Sequence, residues 1–89
     1  MTRILLKGEE EALGTNSAGA KIFSNARLVH VVNTTSNAHK VTLVAAVSGS
    51  TIGSFTLPGG ESVELVKDPL NGIFAANAGV KGSAVGYSN

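Results

Sequence analysis

Apolar and polar positions alternate in short runs from Lys40 to Tyr87: KVTLVAAV, TIGSFTL, ESVELVK, GIFAA and VKGSAVGY, each bounded by Gly, Ser, Asn or Pro. A period of two is the side-chain period of a β-strand, so the pattern predicts a series of short strands. In KVTLVAAV it places Val41, Leu43, Ala45 and Val47 on an inward face and Lys40, Thr42, Val44 and Ala46 on an outward one. Upstream, ARLVHVVN is dense in β-branched residues. It sets Leu28, His30 and Val32 against Arg27, Val29, Val31 and Asn33. Neither face is wholly polar, the pattern of a strand covered on both sides, by core or by a partner.

The turns punctuate this pattern. Pro58-Gly59-Gly60 between TIGSFTL and ESVELVK is a hairpin signal, because glycine supplies the positive φ of tight connections, and it would bring Phe55 and Leu57 opposite Val63 and Leu65. Gly53 marks a bulge or a close approach. Asp68 and Pro69 end a strand and Asn71-Gly72 reverses the chain, while Phe55 and Phe74 are expected in the core. Lys21 to Phe23 reads as a brief strand. Thr2 to Lys7 suits a sheet edge or an arm, where Arg3 and Lys7 discourage further pairing. Glu9, Glu10 and Glu11 lie between Gly8 and Gly14, too short a span to hold a helix unaided, so Gly8 to Ala20 reads as a loop that is mobile or ordered by a partner. The three carboxylates are either a solvated turn or an electrostatic contact to a basic neighbour. The fold class expected is all-β, a small antiparallel β-sandwich or barrel, Ig-like or similar. Residues 1–20 form a strand or arm plus a flexible loop, and residues 21–89 form the domain.

Composition adds a reason to associate. The chain has 89 residues, no Cys, 43% hydrophobic and 15% charged residues and a formal net charge of +1. A domain this small buries little core, and disulfides and thiolate metal sites are ruled out, which leaves partner subunits as the support. Charged residues usually make up about 25% of a soluble chain, so part of this surface is expected to be covered, and near-zero net charge does not oppose that. The start lacks the apolar run of a secretory signal and no stretch is long enough to span a bilayer, so synthesis in a cytoplasm is expected, with no membrane partner.

Catalytic chemistry finds no constellation. His30 and His39 would have to converge with Glu61, Glu64 or Asp68 to hold a metal, and nothing in their spacing enforces it. No Ser lies in a nucleophile elbow and no glycine cluster has the setting of a phosphate loop. The basic residues are scattered and the aromatics are Phe23, Phe55, Phe74 and Tyr87, which gives no nucleic-acid platform. An enzyme, a cofactor and a metal are therefore not expected. Tyr87 either caps the core or anchors a neighbouring subunit.

The stretches STIGSFTLPGGESVELVKDP and NGIFAANAGVKGSAVGYSN, with the strand exit VVNTT, resemble small virion structural proteins of tailed bacteriophages, including capsid decoration or cement-type proteins. The resemblance covers the C-terminal half best. It implies a β-protein that binds the major capsid protein or other virion proteins, as a homo-oligomer or as lattice-bound copies in the virion, and performs no catalysis. A neck, tail or fibre component and a small Ig-like host-surface binding module are the alternatives. The expected interface is the first segment with the acidic triplet and the closing tyrosine: Arg3, Ile4, Leu5, Leu6, Lys7, Glu9, Glu10, Glu11 and Tyr87.

Overall fold

The computed structural model describes residues 3–88. Eight strands form two antiparallel sheets: β1 (Arg3–Leu6), β2 (Glu11–Ala12), β3 (Leu28–Asn33), β4 (His39–Val44), β5 (Thr51–Leu57), β6 (Ser62–Val66), β7 (Gly72–Ala75) and β8 (Val80–Ser88). The first sheet runs β1-β8-β3-β6, with β2 also on β8, and the second runs β5-β4-β7. Their inner faces share one core. Val29, Val31 and Ala84 from the first sheet meet Val41, Leu57, Ile73 and Ala75 from the second. The all-β class read from the alternation is the one observed, with two sheets where a sandwich or a barrel was expected, and the β3 faces are as predicted, with Val29, Val31 and Asn33 buried and Leu28, His30 and Val32 half-buried.

The pairing differs from the prediction at the Pro-Gly-Gly turn. β5 pairs with β4 and β6 with β3, so Pro58 to Gly60 carries the chain between sheets and makes no hairpin. Glu61 N–H still donates to the Pro58 carbonyl at 3.2 Å, with Gly60 at φ +77, so the turn itself is tight. Phe55 and Leu57 therefore meet Val63 and Leu65 across the core. Gly60 supplies the positive φ predicted for the turn, and Gly59 is required for a second reason, space. A Cβ on Gly59 would lie 2.6 Å from the Ser36 carbonyl carbon.

Three crossings, β3 to β4, β5 to β6 and β7 to β8, converge at one end of the sandwich, and Asn33 is their knot. Although fully buried, its side chain uses all its capacity: Nδ2 donates to the carbonyls of Asn37 (2.7 Å) and Leu57 (2.9 Å), and Oδ1 accepts from Thr35 N–H (3.0 Å) and Oγ1 (2.8 Å). Its backbone bonds Gly60 and Glu61, and Thr34 bonds Gly79 through both N–H and Oγ1. Asn-Thr-Thr is thus a clamp that holds three connections in one place.

Other expectations are corrected locally. The strand expected at Lys21 to Phe23 reduces to one bridge from Lys21 to Ile73, because Phe23, Ser24 and Asn25 take φ of 54, 54 and 64 in a left-handed turn. β4 stops at Val44, so Ala45 and Val47 are exposed rather than inward. Phe74 lies opposite Thr42 on the outer side of the second sheet, while its neighbours Ile73 and Ala75 fill the core. The reversal near Asn71 is a turn closed by Asn71 N–H to the Asp68 carbonyl. Gly53 does sit beside a register shift in the β4–β5 pairing.

The segment Gly8 to Ala20, expected to be a loop apart from the domain, is instead seated on it. Glu11 and Ala12 pair with Gly82 and Lys81, Leu13 is 2% exposed within the core, and Gly14 and Lys21 bridge to β7. Burial of Leu13 and Ala20 together with backbone pairing to β8 and β7 ties this stretch to the sandwich.

Candidate interaction site

Residues 3 to 13 run along a single edge of β8. Arg3 to Leu6 pair with Ser88 to Val85, Lys7 N–H donates to the Ala84 carbonyl, and Glu11 and Ala12 resume the ladder with the register shifted, so Gly8, Glu9 and Glu10 bulge out. On its other side β8 pairs with β3 only from Val80 to Ala84. Beyond that point β1 and the end of β8 form a two-stranded ribbon with no third strand on either edge among the described residues. Its root is anchored by buried Ala84 and Val85, but Leu5 and Leu6 are 49% and 75% exposed. Successive residues point to opposite faces, so both faces of the ribbon are wet.

The residues predicted as an interface are therefore brought together. The backbone register puts Ile4 opposite Tyr87, and Glu9 to Glu11 belong to the same edge as Arg3 to Lys7. Thr2, the first residue of the expected strand, lies outside the described residues. Glu11 forms an exposed ion pair with Lys21 at 3.5 Å, which answers the electrostatic alternative for one carboxylate within the chain itself.

What sequence reading missed is the company this ribbon keeps. Strand direction places the ends of β4 and β6 and the start of β5 at the ribbon's end of the sandwich, opposite the Asn33 clamp. The six large apolar residues exposed among the described side chains all lie in that half: Leu5, Leu6, Val47, Ile52, Val66 and Leu70. They are far apart in sequence. Only the topology collects them.

Beneath the ribbon a groove of about 720 Å³ opens between the acidic bulge and the left-handed turn Phe23 to Asn25, with Lys7 and Arg27 on its walls. Phe23 closes its floor, buried against Gly82, where a Cβ would meet the ring at 2.8 Å. Lys67 is also at this end and is 4% exposed; its ammonium donates to the carbonyls of Pro69 (3.1 Å) and Asp68 (3.3 Å). Burial pushes its pKa below the usual 10.5, and the Asp68 charge opposes that.

The histidines do not converge. His30 lies on β3 in the first sheet and His39 on β4 in the second. His30 Nδ1 is 2.7 Å from Glu64 Oε2, its cross-strand neighbour, and since an ionised carboxylate only accepts, that nitrogen carries the proton. No group of three metal-ligating side chains is found among the described residues, and no helix is long and apolar enough to cross a membrane. Comparison with protein-family models, with curated proteins and with solved structures finds no match.

Proposed function

We propose that this chain is a non-enzymatic structural protein of a tailed-bacteriophage particle that decorates or cements the capsid, attaching to capsid subunits by its ribbon end. The observation that carries the reading is the gathering of Leu5, Leu6, Val47, Ile52, Val66 and Leu70 at one end, beside a ribbon whose two edges can accept strands. Protein association draws on buried apolar area and on main-chain pairing at open edges, and this end offers both. The resemblance of the Pro-Gly-Gly, Glu-Leu-Val-Lys-Asp-Pro and Asn-Thr-Thr stretches to small virion proteins supplies the kind of partner.

The test is co-sedimentation of the purified protein with capsids that lack it. Leu6→Glu changes an exposed side chain, so the melting temperature is expected to stay within the range of a surface substitution, while capsid attachment falls by at least about tenfold, the effect of losing roughly 1.4 kcal/mol at an interface. Removal of residues 1–7 is expected to abolish attachment. Attachment by both variants at the level of the unaltered protein would sink the proposal. A copy number matching one ring per particle, instead of the capsid lattice, would move the protein to the neck or tail.

A further inference from the structure

Besides the short free stretch of β8 beyond Ala84, which belongs to the ribbon, the sheets leave four lateral edges, and they differ in what they can pair with. The β7 edge is already occupied by bridges from Gly14 and Lys21. The β1 edge carries basic positions 3 and 7, which antiparallel self-pairing about Leu5 would set directly opposite one another, and it runs into the Gly8–Glu10 bulge. The β6 edge has Glu64 at its middle, so self-pairing there would face one carboxylate with another.

β5 is the exception. Thr51 to Leu57 contains no charged residue and no proline, and its residues Thr51 to Ser54 are exposed along the whole first half of the strand. Such an edge lacks the devices that normally block pairing, apart from the register shift near Ile52 at its start.

We infer that β5 pairs antiparallel with β5 of a second copy, about a two-fold axis through Ser54, joining two three-stranded sheets into one of six strands. The sequence of the strand is self-complementary in that register. Gly53 falls opposite Phe55 of the other copy, and Ile52 opposite Thr56, each pairing occurring twice by symmetry. Gly53 is the deciding residue. A Cβ placed there would meet nothing within 4 Å, so the inner face has a vacant position between Phe55 and the end of the strand. An aromatic ring from the neighbouring strand fills such a vacancy over glycine and shields its backbone. Centring the pair on Phe55 instead would put Leu57 opposite Gly53, and Leu57 is 2% exposed within its own core, whereas Phe55 is only half-buried there and keeps surface for the neighbouring strand. The occupant that fits is therefore another copy of this chain. This edge lies in the other sheet from the ribbon and shares only Ile52 with the exposed apolar end, and the inference stands whether or not the particle reading does.

Light scattering across a concentration series tests it with three proteins. The unaltered chain is expected to reach twice the chain mass. Ser54→Lys, which places two ammonium groups face to face on the axis, is expected to stay at one chain mass while keeping the β-sheet circular-dichroism spectrum, since Ser54 is exposed. The absence of native cysteine makes Ser54→Cys a direct probe. It is expected to oxidise to a covalent dimer, while Ser62→Cys on the β6 edge does not. A monomeric unaltered chain at every concentration, a dimer that survives Ser54→Lys, or equal cross-linking by the two cysteine variants would each overturn the inference.

Discussion

Asn33 shows how one buried amide can organise a small fold. Its four hydrogen bonds reach the 34–37 turn and the end of β5, so its removal strands the Leu57 carbonyl and the Thr35 N–H together. Each unsatisfied buried group costs about 1–3 kcal/mol, and Asn33→Ala is expected to lower unfolding stability by about 3 kcal/mol in a urea titration. Lys67 acts in the opposite sense. Its pKa is lowered in the folded chain by burial, so below the usual 10.5 the unfolded chain holds this proton more readily and the native state is penalised. Stability is therefore expected to rise with pH through the interval between the lowered value and 10.5. Comparing thermal melts of the unaltered protein and Lys67→Met over that alkaline range isolates the effect, since only the lysine protein should gain. Burial at these two positions was legible only in part. Alternation placed Asn33 on the face of Val29 and Val31, but nothing local to Lys67 signals that a turn folds its carbonyls over the ammonium.

At the scale of elements, strands were readable and their partners were not. Alternation depends on one strand and its two faces, which is local information, and every strand from β3 to β8 lies within a predicted run or overruns it by one residue. Pairing depends on where the chain goes after each turn. Pro58-Gly59-Gly60 has the composition of a hairpin loop, yet the Asn33 and Ser36 backbone beside it turns the chain toward the other sheet. Gly59→Ala is accordingly expected to cost about 1–3 kcal/mol, the range for overpacking, because the obstacle is backbone that cannot swing aside; a chemical melt of the variant checks this. Ser24 and Asn25 were legible as a turn, but its left-handed form and its start at Phe23 were hidden. None of the three is glycine, and each left-handed residue costs about 1–2 kcal/mol in isolation. Burial of the Phe23 side chain under Gly82 helps to offset that cost. The site followed the same division: the residues of the first segment were picked out by their apolar and charged character, whereas Val47, Ile52, Val66 and Leu70 join them only through strand direction.

The whole molecule is polarised. One end is closed by the Asn-Thr-Thr clamp and its three crossings, and the other carries the exposed apolar side chains and the ribbon. That much uncovered apolar surface at one end of a small domain is a surface offered to a partner. Val66→Lys, at 74% exposure, should raise solubility without moving the melting temperature, and precipitation by salt is a direct measure.

The ribbon also dictates how the molecule yields to force. Residues 3 and 88 are register partners in an antiparallel pair, so tension applied across them acts at right angles to the strands and loads one hydrogen-bonded rung at a time. The first strand would peel from β8 at low load, and resistance would climb only when the tear reached Lys7 and the docked Leu13. A tether attached at both positions would thus feel a soft zipper before a stiff domain, giving the protein a built-in extension that can open and reclose while the clamp at the far end stays shut.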